Sequence, residues 1–151
     1  MKRKQLIKLL YILYLLAIVA FIFNNSMASK GESAQSSGRL LALVNSILDS
    51  FGLPLFAGDT LIRKAAHFIE FFVLSASVFG YFVINTRIDM NKAIYSSFIT
   101  CLIAMADETI QFFNGRGSML LDVWLDFFSS LTAIILFYIL CRFIQKNKKY
   151  N

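Results

Sequence analysis

Charge is what this chain has least of. Only 16% of its 151 residues are Asp, Glu, Lys or Arg and 58% are hydrophobic, whereas soluble domains average roughly 25% charged and about 45–50% apolar. That balance excludes an ordinary soluble globular domain and places the chain in a membrane. Cysteine is scarce as well. Cys101 and Cys141 lie inside apolar runs without C-x-x-C or C-x-x-H spacing, which argues against a disulfide framework or a structural zinc site and leaves both as packing residues. The chain also lacks a glycine-rich phosphate loop, an internal repeat and a low-complexity tract. Its net charge of +6 does not signal a nucleic-acid partner, because Lys2, Arg3 and Lys4, like Lys146, Lys148 and Lys149, flank apolar runs. Cations in that position set topology and meet anionic lipid.

What is present is a series of apolar runs near the ~20 residues that cross a hydrocarbon core. They predict an all-α integral membrane protein of one domain, with four transmembrane helices at about 6–23, 65–84, 93–113 and 120–144. The first run competes with a signal peptide, since Ser26-Met27-Ala28 resembles a small-x-small cleavage site. Its apolar stretch exceeds the usual ~7–15 residues, which favours a retained helix.

Residues 24–60 are the one long polar segment, opening with GESAQSSGR and closing near Pro54, the only proline. Within it Leu40, Leu41, Val44, Ile47, Leu48 and Phe51 recur at helical spacing, so Ser37 to Phe51 reads as an amphipathic helix between the first and second spans. Gly52 and Pro54 end it. Lys and Arg on the side of the two termini outnumber Lys30, Arg39, Arg63, Lys64 and Arg116 on the other side, which predicts cytoplasmic termini and an extracytoplasmic amphipathic helix.

The stretch Asp107 to Asp126, DETIQFFNGRGSMLLDVWLD, sets four carboxylates and an arginine between membrane-grade segments. Each charge in a bilayer disfavours insertion by ~2.5–3.5 kcal/mol, so such residues face a bundle interior or a water cavity. Alternating spans bring His67, Glu70, Asp107, Glu108, Asp122 and Asp126 to the same membrane face. His67 and Glu70 are spaced i,i+3, and Asp107 with Gln111 and Asp122 with Asp126 i,i+4, so each pair shares a helix face. Three readings stand. One is a divalent-metal site using His67, Glu70, Asp107 or Glu108, and Asp122. Another is acid/base machinery of crowded carboxyls. The third is a structural ion-pair network. Arg116, on a Gly115-Arg116-Gly117 turn, suits a phosphate or carboxylate.

Three motifs resemble the VanZ-like membrane proteins, a family named for an accessory factor in teicoplanin resistance. They are R-K-x-A-H-F-x-E-F at Arg63 to Phe71, D-E-x-x-Q at Asp107 to Gln111, and G-R followed by Asp122. The order and separations match, closely over residues 60–130. The family pattern carries over to Arg63, Lys64, His67, Glu70, Asp107, Glu108, Gln111, Arg116 and Asp122. Two positions depart from it: Asp126 stands where the family usually has Asn, and Ser129 where it has a small Gly. The resemblance implies a protein of the bacterial cytoplasmic membrane linked to glycopeptide or lipoglycopeptide tolerance.

The expected site therefore has His67, Glu70, Asp107, Glu108 and Asp122 as acid/base or metal-binding groups. Arg63, Lys64, Gln111, Arg116 and Asp126 are its substrate-binding set. Its partner is membrane lipid, either a phospholipid headgroup or a lipid-linked wall precursor, with a divalent metal as the candidate cofactor. Two rivals remain, a non-catalytic binding or scaffold protein whose charges are structural, and an ion-coupled transporter.

Overall fold

Each apolar run folds as part of a helix longer than the run itself. The computed structural model describes residues 3–55, 58–84, 88–116 and 120–147, in which five helices and no strand occur: α1 Arg3–Met27, α2 Lys30–Ser50, α3 Asp59–Val83, α4 Met90–Phe113 and α5 Leu120–Asn147. Of these, α1, α3, α4 and α5 are long and apolar enough to cross a membrane. Gly117 of the expected Gly-Arg-Gly turn, Arg87 and the basic residues Lys148 and Lys149 lie outside the described residues.

The polar segment 24–60 is helical over most of its length, which corrects the expectation of a loop holding a helix at Ser37 to Phe51. Residues 24–27 form the last turn of α1, and α2 begins at Lys30. The reason is a capping box. The Glu32 carboxylate accepts from the Ser29 backbone N–H at 2.8 Å, and the Ser29 hydroxyl accepts from the Glu32 N–H at 3.4 Å. Those two bonds offset the weak helix propensity of Gly31, Ser33 and Gly38. At the other end Gly52, with φ of 66°, closes a Schellman motif: its N–H donates to the Asp49 carbonyl at 2.9 Å and that of Leu53 to the Leu48 carbonyl at 3.0 Å.

The bundle is built around α3, which packs most extensively against α5, with α4 against both; α1 rests on α3 and α4, and α2 on α3. Small residues permit the α3–α5 contact. Ala133, Ser129 and Ser130 are fully buried, and the Ser129 hydroxyl donates across the interface to the Phe68 carbonyl. One apolar cluster joins Ile22, Phe71, Leu74, Val78 and Ala104, and a second joins Phe79, Ile88, Ala93 and Ile134. The exterior is apolar too, with Leu10, Leu13, Leu16, Phe98, Leu102 and Phe143 exposed, a surface suited to lipid rather than water. Toward the start of α1, the Tyr11 hydroxyl donates to the Ser77 carbonyl at 3.0 Å and Tyr14 shares a bond with the Ser77 hydroxyl at 3.2 Å. Gly80 makes room for this clasp, since a Cβ there would lie 2.6 Å from the Tyr11 oxygen. Both cysteines are free and half-buried.

Candidate functional site

Helical spacing places Arg63, Lys64, His67 and Glu70 on α3, Asp107, Glu108 and Gln111 on α4, and Asp122 and Asp126 on α5. All of them meet at one end of the bundle. The Lys64 ammonium pairs with Asp122 at 3.2 Å. His67 Nδ1 lies 3.9 Å from Asp107 and 4.0 Å from Glu70, too far for a hydrogen bond to either. Asp107 is wholly buried and held by two donors, the Ser26 hydroxyl on one oxygen and the Gln111 amide on the other at 2.8 Å. Glu70 accepts from the Asn25 amide at 2.8 Å.

Asn25 and Ser26 belong to the last turn of α1, so a fourth helix completes the site. Sequence reasoning missed both. The polar Asn24-Asn25-Ser26 run directly after an apolar helix reads as a loop or a processing site, and only the tertiary partners turn it into helix.

Arg116 is positioned by the end of α4. Gly115, with φ of 70°, closes a second Schellman motif in which the Gly115 N–H donates to the Phe112 carbonyl and the Arg116 N–H to the Gln111 carbonyl, each at 3.1 Å. Gly115 thus serves the helix end. From there Arg116 Nη1 reaches across to the Asn25 carbonyl at 2.9 Å, a cation against the negative end of α1. Burial lowers the guanidinium's pKa from its ordinary value and the charge of Arg63 adds to that, while Asp107, Glu108 and Glu70 act in the opposite sense.

Among the described residues, neither Arg63 nor Arg116 has a carboxylate within 4.0 Å. Conversely, His67 Nδ1, Glu108 Oε2, Arg116 Nε and Asp126 Oδ2 are buried with no hydrogen-bond partner. Five carboxyls share the site with three permanent cations. Such an excess of buried negative charge is tolerable only if a proton or another cation joins it.

Three of the hollows beside this cluster share its charged residues with one another. A cavity of about 260 Å³ opens between the end of α1, the first half of α2 and α3, lined by Asn25, Ser33, Ser37, Arg63, His67, Glu70 and Arg116. A small polar pocket of about 20 Å³, room for one water or ion, is lined by Arg63, Lys64, His67, Glu108, Gln111, Arg116, Asp122 and Asp126. Beyond it an apolar groove of about 630 Å³ runs between α4 and α5, walled by Met105, Phe112, Trp124 and Phe127, with Glu108 at its polar edge. Arg63, His67 and Arg116 are common to the first two hollows and Glu108 to the last two.

Four membrane-capable helices around one buried acidic and basic cluster define a small multi-pass membrane protein. A family model described as VanZ/LLP1 matches residues 11–142, and the chain belongs to that family. Comparison with curated proteins and with solved structures gave no match.

Proposed function

We propose that this protein binds an anionic amphiphile of the cell envelope, a phospholipid or a lipid-linked wall precursor, and through that binding contributes to glycopeptide tolerance. One observation carries the reading: two arginines without carboxylate partners line both the cavity of about 260 Å³ beside α2 and the small polar pocket, and that pocket meets, at Glu108, an apolar groove between α4 and α5. An acyl or prenyl chain fits the groove, and Arg63 and Arg116 suit a phosphate or carboxylate through their planar guanidinium forks. In this reading the site faces outward, α2 flanks the headgroup cavity, and both termini are cytoplasmic. His67, Glu70, Asp107, Glu108 and Asp122 supply acid/base groups if the bound molecule is also modified. The test is mass spectrometry of lipids that co-purify with the protein in mild detergent, alongside teicoplanin susceptibility of cells carrying each variant. An anionic lipid that is retained by the native protein and lost from Arg63→Gln and Arg116→Gln supports the reading. Equal retention, with unchanged tolerance, defeats it.

A second reading, a scaffold whose charges are structural, is favoured by the bonds that tie α1 to the bundle, Ser26 to Asp107 and Asn25 to Glu70. The transporter reading gains little support. Below the site the buried hydroxyls of Ser75, Ser96 and Thr100 donate to carbonyls of their own helices and offer no relay.

A further inference from the structure

We propose that His67, Asp107 and Asp126 form a binding site for a divalent transition-metal ion. Each offers one ligand atom, and these atoms all lie within 4.8 Å of one another, contributed by α3, α4 and α5. Ligands at ~2.0–2.2 Å around a tetrahedral ion sit roughly 3.4 Å apart, so the triad needs only a small contraction to hold one. His67 Nδ1 and Asp107, at 3.9 Å, are too far apart for a hydrogen bond and close enough for a shared ion.

Two further observations point to a ligand rather than to mutual contacts. Asp126 is 1% exposed, yet its Oδ2 has no hydrogen-bond partner, and His67 Nδ1 is buried and likewise unpartnered. Buried polar atoms without partners are uncommon in native structures and call for an explanation such as an ion. Both residues also line the pocket of about 20 Å³, which has room for one ion.

The chemistry of the donors narrows the ion. One imidazole nitrogen with two carboxylate oxygens suits Zn²⁺ or Mn²⁺ better than Ca²⁺ or Mg²⁺, which prefer all-oxygen sites. Two carboxylates and a dication are neutral together, which removes the excess charge within the bundle. Ser26 and Gln111, both donating to Asp107, hold that ligand in place as outer partners of metal-bound carboxylates do. Arg63 and Arg116 line the same pocket or its neighbour, so an anion held by them would lie beside the ion's open positions. Asp126, the departure from the usual family Asn, supplies the third ligand. Asp122, the sequence's candidate, is instead paired with Lys64.

The ion site stands or falls separately from the lipid. The experiment uses the full chain purified in detergent without a histidine tag, stripped with EDTA, reloaded with Zn²⁺ or Mn²⁺, and dialysed. Elemental analysis is expected to find one ion per chain, with a raised melting temperature, and X-ray absorption of the zinc form a single imidazole among light donors. Asp126→Asn, close in shape to the native side chain, and His67→Gln are expected to lose binding by at least roughly tenfold, and Ser26→Ala to weaken it by about 10–100-fold. Absence of bound metal in the native protein, a zinc spectrum without imidazole, or full binding by Asp126→Asn would overturn the site. The native-protein measurements decide the matter even if a variant fails to fold.

Discussion

Ser26, in the last turn of α1, donates a hydrogen bond to the fully buried carboxylate of Asp107 on α4, a partner 81 positions away in the chain. The bond couples the outermost spanning helix to the centre of the polar site. Ser26→Ala removes a donor from a buried acid without changing the shape of the helix. Such a loss costs about 1–3 kcal/mol. Reversible unfolding in mixed micelles is expected to show that destabilisation, whereas Ser36→Ala, at the cavity rim on α2, leaves the midpoint near that of the native protein.

Arg116 depends on Gly115. A side chain at a φ of 70° is strained by roughly 1–2 kcal/mol, so Gly115→Val is expected to unwind the Schellman turn and move the guanidinium away from the Asn25 carbonyl. Its lipid retention and teicoplanin phenotype are expected to follow those of Arg116→Gln. Arg116→Lys keeps the charge but loses the planar fork, and is expected to retain lipid at an intermediate level.

The start of α2 carries its own pH dependence. Hydrogen bonds from the Ser29 side chain and backbone hold the Glu32 carboxyl below its ordinary pKa. A group whose pKa is lowered by folding adds stability above its unfolded pKa and loses it as pH falls through the folded value. The first turn of α2 is therefore expected to fray under acid, below the usual Glu range, as read by hydrogen–deuterium exchange of residues 30–37. Glu32→Gln keeps the capping geometry and is expected to abolish the pH dependence.

Gly80 and Tyr11 make a double-mutant cycle. Gly80→Ala places a Cβ 2.6 Å from the native Tyr11 oxygen, displacing the ring and its bond to the Ser77 carbonyl. Tyr11→Phe removes that bond alone, and hydrogen bonds between membrane helices average about 0.6 kcal/mol. With the hydroxyl already gone the alanine fits more easily, so the double variant is expected to be more stable than the two single losses predict.

Much of this site was legible in the sequence because two periodicities suffice to build it. Spacing of three and four put His67 with Glu70, Asp107 with Gln111 and Asp122 with Asp126 on common faces, and alternating spans brought the three faces to one end. What stayed hidden depends on partners that periodicity does not report. Asn25 and Ser26 remain helical because Glu70, Arg116 and Asp107 bond to them. The first half of α2 looked like a serine-glycine loop, although Ser29-x-x-Glu32 was the signal for its start. Spacing also could not rank Asp122 against Asp126. Lys64 engages the first and leaves the second facing His67 and Asp107.

The division of the site among α1, α3, α4 and α5 has a consequence for biosynthesis. Helices enter the bilayer in chain order and associate afterwards. When α4 arrives with Asp107, the Ser26 hydroxyl that will donate to it is already in the bilayer. Lys64 meets its counter-charge only once α5 follows. The nascent chain thus carries an incomplete charge cluster until α5 brings Asp122 to Lys64.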